Sequence, residues 1–220
     1  NEVMLAKIEN GEADFDVVCP SEYIIERMMR KELLLPILTE EFVAEIDAKG
    51  INYFNCVSPF FKEQFSLLET PEGIDPNDYS VGYMWGTTGI LYNKAYVTDE
   101  EALSWSLMFD ERFDGMIFVK DAFRDVYSPM LIYAKTLEAR EAGLLGEDET
   151  LSIETIRELM YDSSDESIAL VEGYLKRMKQ LVAGWEADFG KEMMTQEKAW
   201  IDLMWSGDAV WAIDEASEVD

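Results

Sequence analysis

Short apolar runs alternate along this chain with longer stretches of helical periodicity, and that alternation constrains the fold more than any other feature. A run of a few apolar residues fits a buried strand, whereas apolar residues three and four apart fit one face of a helix. Asp16-Val17-Val18-Cys19, Met116-Ile117-Phe118-Val119 and the segment from Trp200 to Trp205 have strand character. Each is followed by a capping or turn residue and then a helical pattern. Ser21 precedes the helix at 22–31, whose apolar face is Ile24, Ile25, Met28 and Met29. Asp121 to Asp125 open a helix through Val126, Met130, Leu131 and Leu137, and a Ser206-Gly207 turn leads into residues 210–213. Residues 1–10 read as a short helix ended by Gly11, 153–161 as a helix capped by Ser152, and 168–185 as one continuous helix. Residues 79–93 read as a strand pair around Trp85-Gly86-Thr87-Thr88-Gly89, and 33–78, including 52–55, as irregular. Strands alternating with helices build α/β architecture.

Composition narrows the function classes. The 220 residues hold 46 acidic and 18 basic side chains, a formal net charge of −28, with 48% hydrophobic residues. That charge excludes a general nucleic-acid binder, which needs clustered Lys and Arg against phosphate. It argues equally against an anionic membrane surface, and it favours attraction of cations. There is no histidine, which removes Ser-His-Asp and Cys-His catalysis and the usual zinc sites. No Ca²⁺-loop pattern occurs, and neither a metal nor a cofactor is expected. No apolar run reaches the roughly 18 residues of a membrane-spanning helix. Cys19 and Cys56 fit one disulfide or two buried thiols, the second being favoured by their apolar surroundings.

The segment Met204-Trp205-Ser206-Gly207-Asp208 sets an indole three residues ahead of a carboxylate. An aromatic face beside an anion is a receptor for an organic cation, through cation–π attraction and a charge-assisted hydrogen bond. Asp121 and Asp125 flank Arg124 at a helix start, where the helix dipole favours carboxylates without any ligand. Alternatively, Asp125 turns outward and takes an ammonium group. A carboxylate pair could also hydrolyse a glycoside without histidine. With 46 acids, however, chance pairs abound, and no pair is marked out.

Taken in order, these motifs resemble the polyamine-binding proteins of bacterial ABC importers, the spermidine/putrescine receptors. The resemblance rests on residues 16–23 (Asp-Val-Val-Cys-Pro-Ser-Glu-Tyr), 83–90 (Tyr-Met-Trp-Gly-Thr-Thr-Gly-Ile), Ser104-Trp105, residues 121–127 and residues 205–209. It implies an α/β, two-lobe periplasmic-binding-protein-like fold of type II, with lobe one at 1–90 and lobe two at 91–220. It also implies that the chain is truncated, lacking a first strand before Asn1 and further elements after Asp220.

The resemblance assigns ligand-binding roles by position. Ser21 and Tyr23 form a first-lobe loop, Asp125 pairs with an amino group, and Trp205 packs along the polyamine. Asp208 matches a carboxylate of putrescine-type members, and Trp85 and Thr88 lie in the shared central motif. Ala122 departs from an aspartate found in some spermidine-preferring members, which Asp121 could replace. The implied partners are a polyamine and the permease subunits of an ABC importer. The implied location is extracytoplasmic, in the periplasm or at the cell surface, with a lipid anchor or a permease fusion upstream. No catalytic residue is expected.

Overall fold

The computed structural model describes residues 1–13, 15–51 and 56–217, so the expectations for 52–55 and for the chain end at 218–220 lie outside the described residues. The chain divides into two compact units, Asn1–Trp85 and Gly86–Asp220.

The first unit is helical. Among its described residues the elements are α1 (Glu2–Glu9), α2 (Glu22–Arg30), α3 (Glu40–Ala48), α4 (Pro59–Phe65) and a 3-10 turn at Pro76–Asp78. Ile24 and Met28, one helical turn apart, bury with Leu5 of α1, and Val18, Leu33 and Leu34 pack around them. Lys31 Nζ meets Glu9 at 2.6 Å, and Arg30 bonds both Glu26 and Glu69. Sequence reading missed α3 and α4. Both carry local start signals: the Thr39 hydroxyl accepts from the Phe42 N–H, Glu40 and Glu41 follow it, and Pro59 stands in the first turn of α4. The expected strand at 16–19 is absent. Val17 is 87% exposed, and Cys19 and Cys56 are both exposed, which corrects the expectation of buried thiols. A strand needs a neighbouring strand to satisfy its backbone groups, and this unit offers none among its described residues.

The second unit is an α/β sandwich around a four-stranded sheet. The strands are β1 (Thr88–Tyr92), β2 (Ile117–Lys120), β3 (Val182–Glu186) and β4 (Ile201–Trp205), in spatial order β1-β4-β2-β3. β2 is parallel to both β3 and β4, and β1 is antiparallel to β4. The helices are α5 (Phe123–Glu141), α6 (Ile153–Tyr161), α7 (Asp165–Leu181), α8 (Gly190–Thr195) and α9 (Ser206–Ser217). Side chains alternate across the sheet. Ile117 and Val119 of β2 and Ile201 and Leu203 of β4 bury against Val126, Met130 and Leu131 of α5 and Val171 and Met178 of α7. Phe118 and Met204 pack with Met194, Ala199 and Ala209 in a second cluster.

Three expectations for this unit need correction. The strand pair at 79–93 reduces to β1, and residues 80–87 have no regular structure, with Tyr83, Met84 and Trp85 exposed. The helix expected to run through 185 ends at Leu181, and Val182–Glu186 is β3. A short apolar run cannot be assigned by periodicity alone. Here the tertiary partner decides, because a Cβ on Gly184 would lie 3.0 Å from the Phe118 ring of β2. Finally, Ser206 and Gly207 are no turn but the first residues of α9.

Candidate functional site

Because β2, β3 and β4 run parallel, their last residues, Lys120, Glu186 and Trp205, reach one edge of the sheet. The starts of α5, α8 and α9 follow them there, and β1 runs the opposite way, setting its first residue, Thr88, beside Trp205. The carboxyl edge of parallel strands is where open α/β sheets take ligands.

At this edge the Trp205 indole N–H donates to Asp125 Oδ2 at 2.9 Å. Asp125 stands in the first turn of α5, where the helix dipole favours a carboxylate, and its side chain turns toward the sheet edge to meet the indole. The indole is 39% exposed. The backbone beside it is locked, with Ser206 N–H donating to Thr87 O at 2.8 Å and Thr87 N–H donating to Ser206 Oγ at 3.1 Å. Gly86 allows that closure, since a Cβ there would lie 3.0 Å from Ser206 Oγ. Asp121 is exposed, and its own N–H bonds the Glu186 carbonyl at 2.6 Å.

Asp208 is held by two lysines. Lys191 Nζ donates to Oδ1 at 2.9 Å and Lys120 Nζ to Oδ2 at 3.3 Å. Burial pushes this carboxyl up, but the hydrogen bond from Lys191 and the charges of both lysines outweigh it and hold it below the ordinary range. The same contact raises Lys191.

Lys120 was not singled out by sequence. It is 1% exposed, and its ammonium sits 3.9 Å from the centre of the Trp205 ring. It also donates to the Ala187 carbonyl and lies 3.0 Å from Glu186 Oε1, without hydrogen-bond alignment to that oxygen. Lys120 and Glu186 are register partners across β2 and β3, which places them side by side. The available signal was a lysine immediately after a four-residue apolar run, which reads as a strand boundary rather than a buried charge.

Asp202 of β4 was missed as well. It is fully buried, and neither carboxyl oxygen has a hydrogen-bond partner. Burial, followed by the negative charge of Glu186, pushes it up to about 8 against the opposing pull of Lys120, so it is protonated at neutral pH. Asp202 and Glu186 both crowd Gly190, where a Cβ would lie 2.1 Å from Asp202 Oδ2 and 2.8 Å from Glu186 Cδ. Gly190 N–H donates to Glu186 Oε2 at 3.0 Å. Among the described residues no group of His, Cys, Asp and Glu is disposed to hold a metal ion.

In the first unit Ser21 and Tyr23 lie together. Asn1 Nδ2 donates to Ser21 Oγ at 2.8 Å and to the Tyr23 hydroxyl at 3.1 Å, and that hydroxyl donates to Glu2 at 2.9 Å. Ser21 is thus the N-cap residue of α2 by position, while its side chain makes no cap bond. Trp85 is 68% exposed and packs its ring 5.0 Å from Phe61.

The chain has relatives of known name. The spermidine/putrescine-binding periplasmic protein of Escherichia coli K12 is 23% identical over 222 residues, covering all of this chain and 53% of that protein. The chain is similar to the polyamine-binding periplasmic proteins. The putrescine-binding periplasmic protein SpuD of Pseudomonas aeruginosa UCBPP-PA14 is 30% identical over 115 residues, half of this chain. Among solved structures, a putative spermidine/putrescine ABC transporter protein from Listeria monocytogenes matches with a TM-score of 0.71 at 24% identity, over 98% of this chain and 55% of that one. The substrate-binding protein PotD of Streptococcus pneumoniae matches with a TM-score of 0.61 at 22% identity. The expected α/β fold of the two-lobe periplasmic binding proteins is therefore present. The chain spans about half the length of the curated relatives it matches. No family model matches it. Among the described residues no helix is long and apolar enough to cross a membrane.

Proposed function

We propose that this protein captures a polyamine outside the cytoplasm and delivers it to the permease of an ABC importer, as a binding protein and not an enzyme. The observation that carries this reading is the Trp205–Asp125 pair at the carboxyl edge of the sheet, in a chain similar along its whole length to proteins named for spermidine and putrescine. A polyamine is a set of ammonium groups on methylene chains. Burying an ammonium costs several kcal/mol unless a carboxylate meets it. The methylenes need an apolar wall, and an aromatic face serves as wall and cation–π partner together. On this reading Asp125 takes an ammonium and the exposed part of Trp205 lines the chain, with Thr88 the register partner of Trp205 and Asp121 four residues before Asp125.

The carboxylate-pair hydrolase has less support. Asp202 is a protonated acid close to Glu186, but both are buried to within 1%, out of reach of a glycoside. Calorimetry on the full-length protein with putrescine, spermidine, an amino acid and a sugar panel tests the reading. Binding of the amines alone, lost in Asp125→Ala and Trp205→Ala, is the expected result. Binding confined to the amino acid or a sugar would refute it.

A further inference from the structure

The ammonium of Lys120 meets what a bound amine would need: an aromatic face at 3.9 Å, a carboxylate at 3.0 Å, a second at 3.3 Å, and a backbone carbonyl. Its side chain is only 1% exposed, so this seat is filled from within the chain and closed to solvent. Asp208 has both oxygens engaged, one by Lys120 and the other by Lys191. Two lysines thus balance Glu186 and Asp208 beneath the indole. Asp125 differs, because its hydrogen-bond donor is the neutral indole N–H, which leaves the negative charge of the carboxylate in place.

We infer that Lys120 determines specificity by acting as a built-in ammonium: it occupies the amine seat of Trp205, Glu186 and Asp208, so of the two carboxylates Asp125 and Asp208 the one left to an incoming amine is Asp125. The inference rests on the amine-binding reading and deepens it. The ligand class is an amine that gives this unit a single ammonium end, with its methylenes on the exposed part of Trp205. Lys120 acts by filling this seat against the Trp205 ring, as a positioning residue.

Two isosteric variants test the assignment in the full-length protein, with putrescine as probe in a calorimeter. Loss of a charge-assisted contact costs about tenfold or more in affinity, so Asp125→Asn should weaken binding by at least that factor. Asp208→Asn should change affinity by less than about twofold, the scatter of a residue that does not touch the ligand. A loss of about tenfold or more in Asp208→Asn, with an unchanged unfolding midpoint, would overturn the inference, because the ligand would then be using that carboxylate. A second measurement needs no polyamine. Lys120→Ala leaves a void the size of a propylammonium ion, and propylammonium chloride should raise the unfolding temperature of that variant above that in equal sodium chloride, with no such rise in the unaltered protein. Equal responses in both proteins would count against the seat. If the unaltered protein binds no amine, the polyamine reading falls, and the propylammonium result still decides what Lys120 occupies.

Discussion

The indole N–H of Trp205 and the carboxylate of Asp125, 80 residues apart in the chain, meet at 2.9 Å. The bond sets the ring's orientation and aims the carboxylate at its edge. A phenylalanine at 205 keeps an aromatic wall and removes the donor. Trp205→Phe should therefore weaken putrescine binding by about tenfold, at the low end for a hydrogen bond to a charged group because the pair is partly exposed. Trp205→Ala should lose more, since the wall goes too. Calorimetry on the two variants side by side checks the order, and equal losses would mean that the bond is incidental.

Glycine at 190 is demanded by space. A methyl group there would sit 2.1 Å from Asp202 Oδ2, well inside contact distance. Both neighbours are buried acids. Gly190→Ala should lower unfolding free energy by about 2–3 kcal/mol, the usual cost of overpacking a closed core. Urea denaturation gives the number, and a change below about 0.5 kcal/mol would show that Asp202 moves aside freely.

Asp202 links stability to pH. Its folded value of about 8 lies above the ordinary 3.8, so the native state holds a proton that the unfolded chain releases. Stability from this group is complete below about pH 4 and is lost as pH rises through 8, with a limiting slope of about 1.4 kcal/mol per pH unit. Asp99, Glu101, Asp110 and Asp162 are shifted the other way, and their contribution is lost only in acid, below the ordinary carboxylate range. Between pH 5 and 8 the Asp202 slope should therefore dominate among these groups. Asp202→Asn should flatten it in a series of denaturation curves, and an identical slope in the variant would contradict the buried-proton account.

Lys120 and Glu186 form a buried pair, each 1% exposed. Removing one member strands a charge, so Glu186→Leu should cost about 3–5 kcal/mol. Replacing both, as in Lys120→Met with Glu186→Leu, should cost clearly less than the sum of the single changes. A double-mutant cycle by chemical denaturation reads the coupling, and additive losses would mean that the two charges do not feel each other.

Local signals carried much of this architecture. Ser152 and Ser164 cap α6 and α7 with side-chain bonds to Thr155 N–H and Ser167 N–H, and the β2–α5 junction stands where an apolar run gave way to helical spacing. The same reasoning failed where an apolar run lacked a decisive period. Val17 and Val18 are strand-like in type yet form no strand, while Val182–Glu186 continues a helical pattern yet pairs with β2. Strand formation depends on a partner supplied by distant chain, and propensity alone does not supply it.

Within the candidate site, residue type made Trp205 and Asp125 candidates and the family resemblance gave them roles, because an indole or a helix-start carboxylate has the same chemistry in a core or a cap as in a site. Their meeting, and the placement of Lys120 against the Trp205 ring, came only with the sheet. Parallel pairing of β2 with β3 and β4 carries Lys120, Glu186 and Trp205 to one edge. A lysine's charge is costly or useful according to what surrounds it, and the carboxylates that make this one tolerable arrive from 66 to 88 residues away, at Glu186 and Asp208. Chain order states which groups exist, and long-range strand pairing decides which of them neutralise one another and which remain open to a ligand.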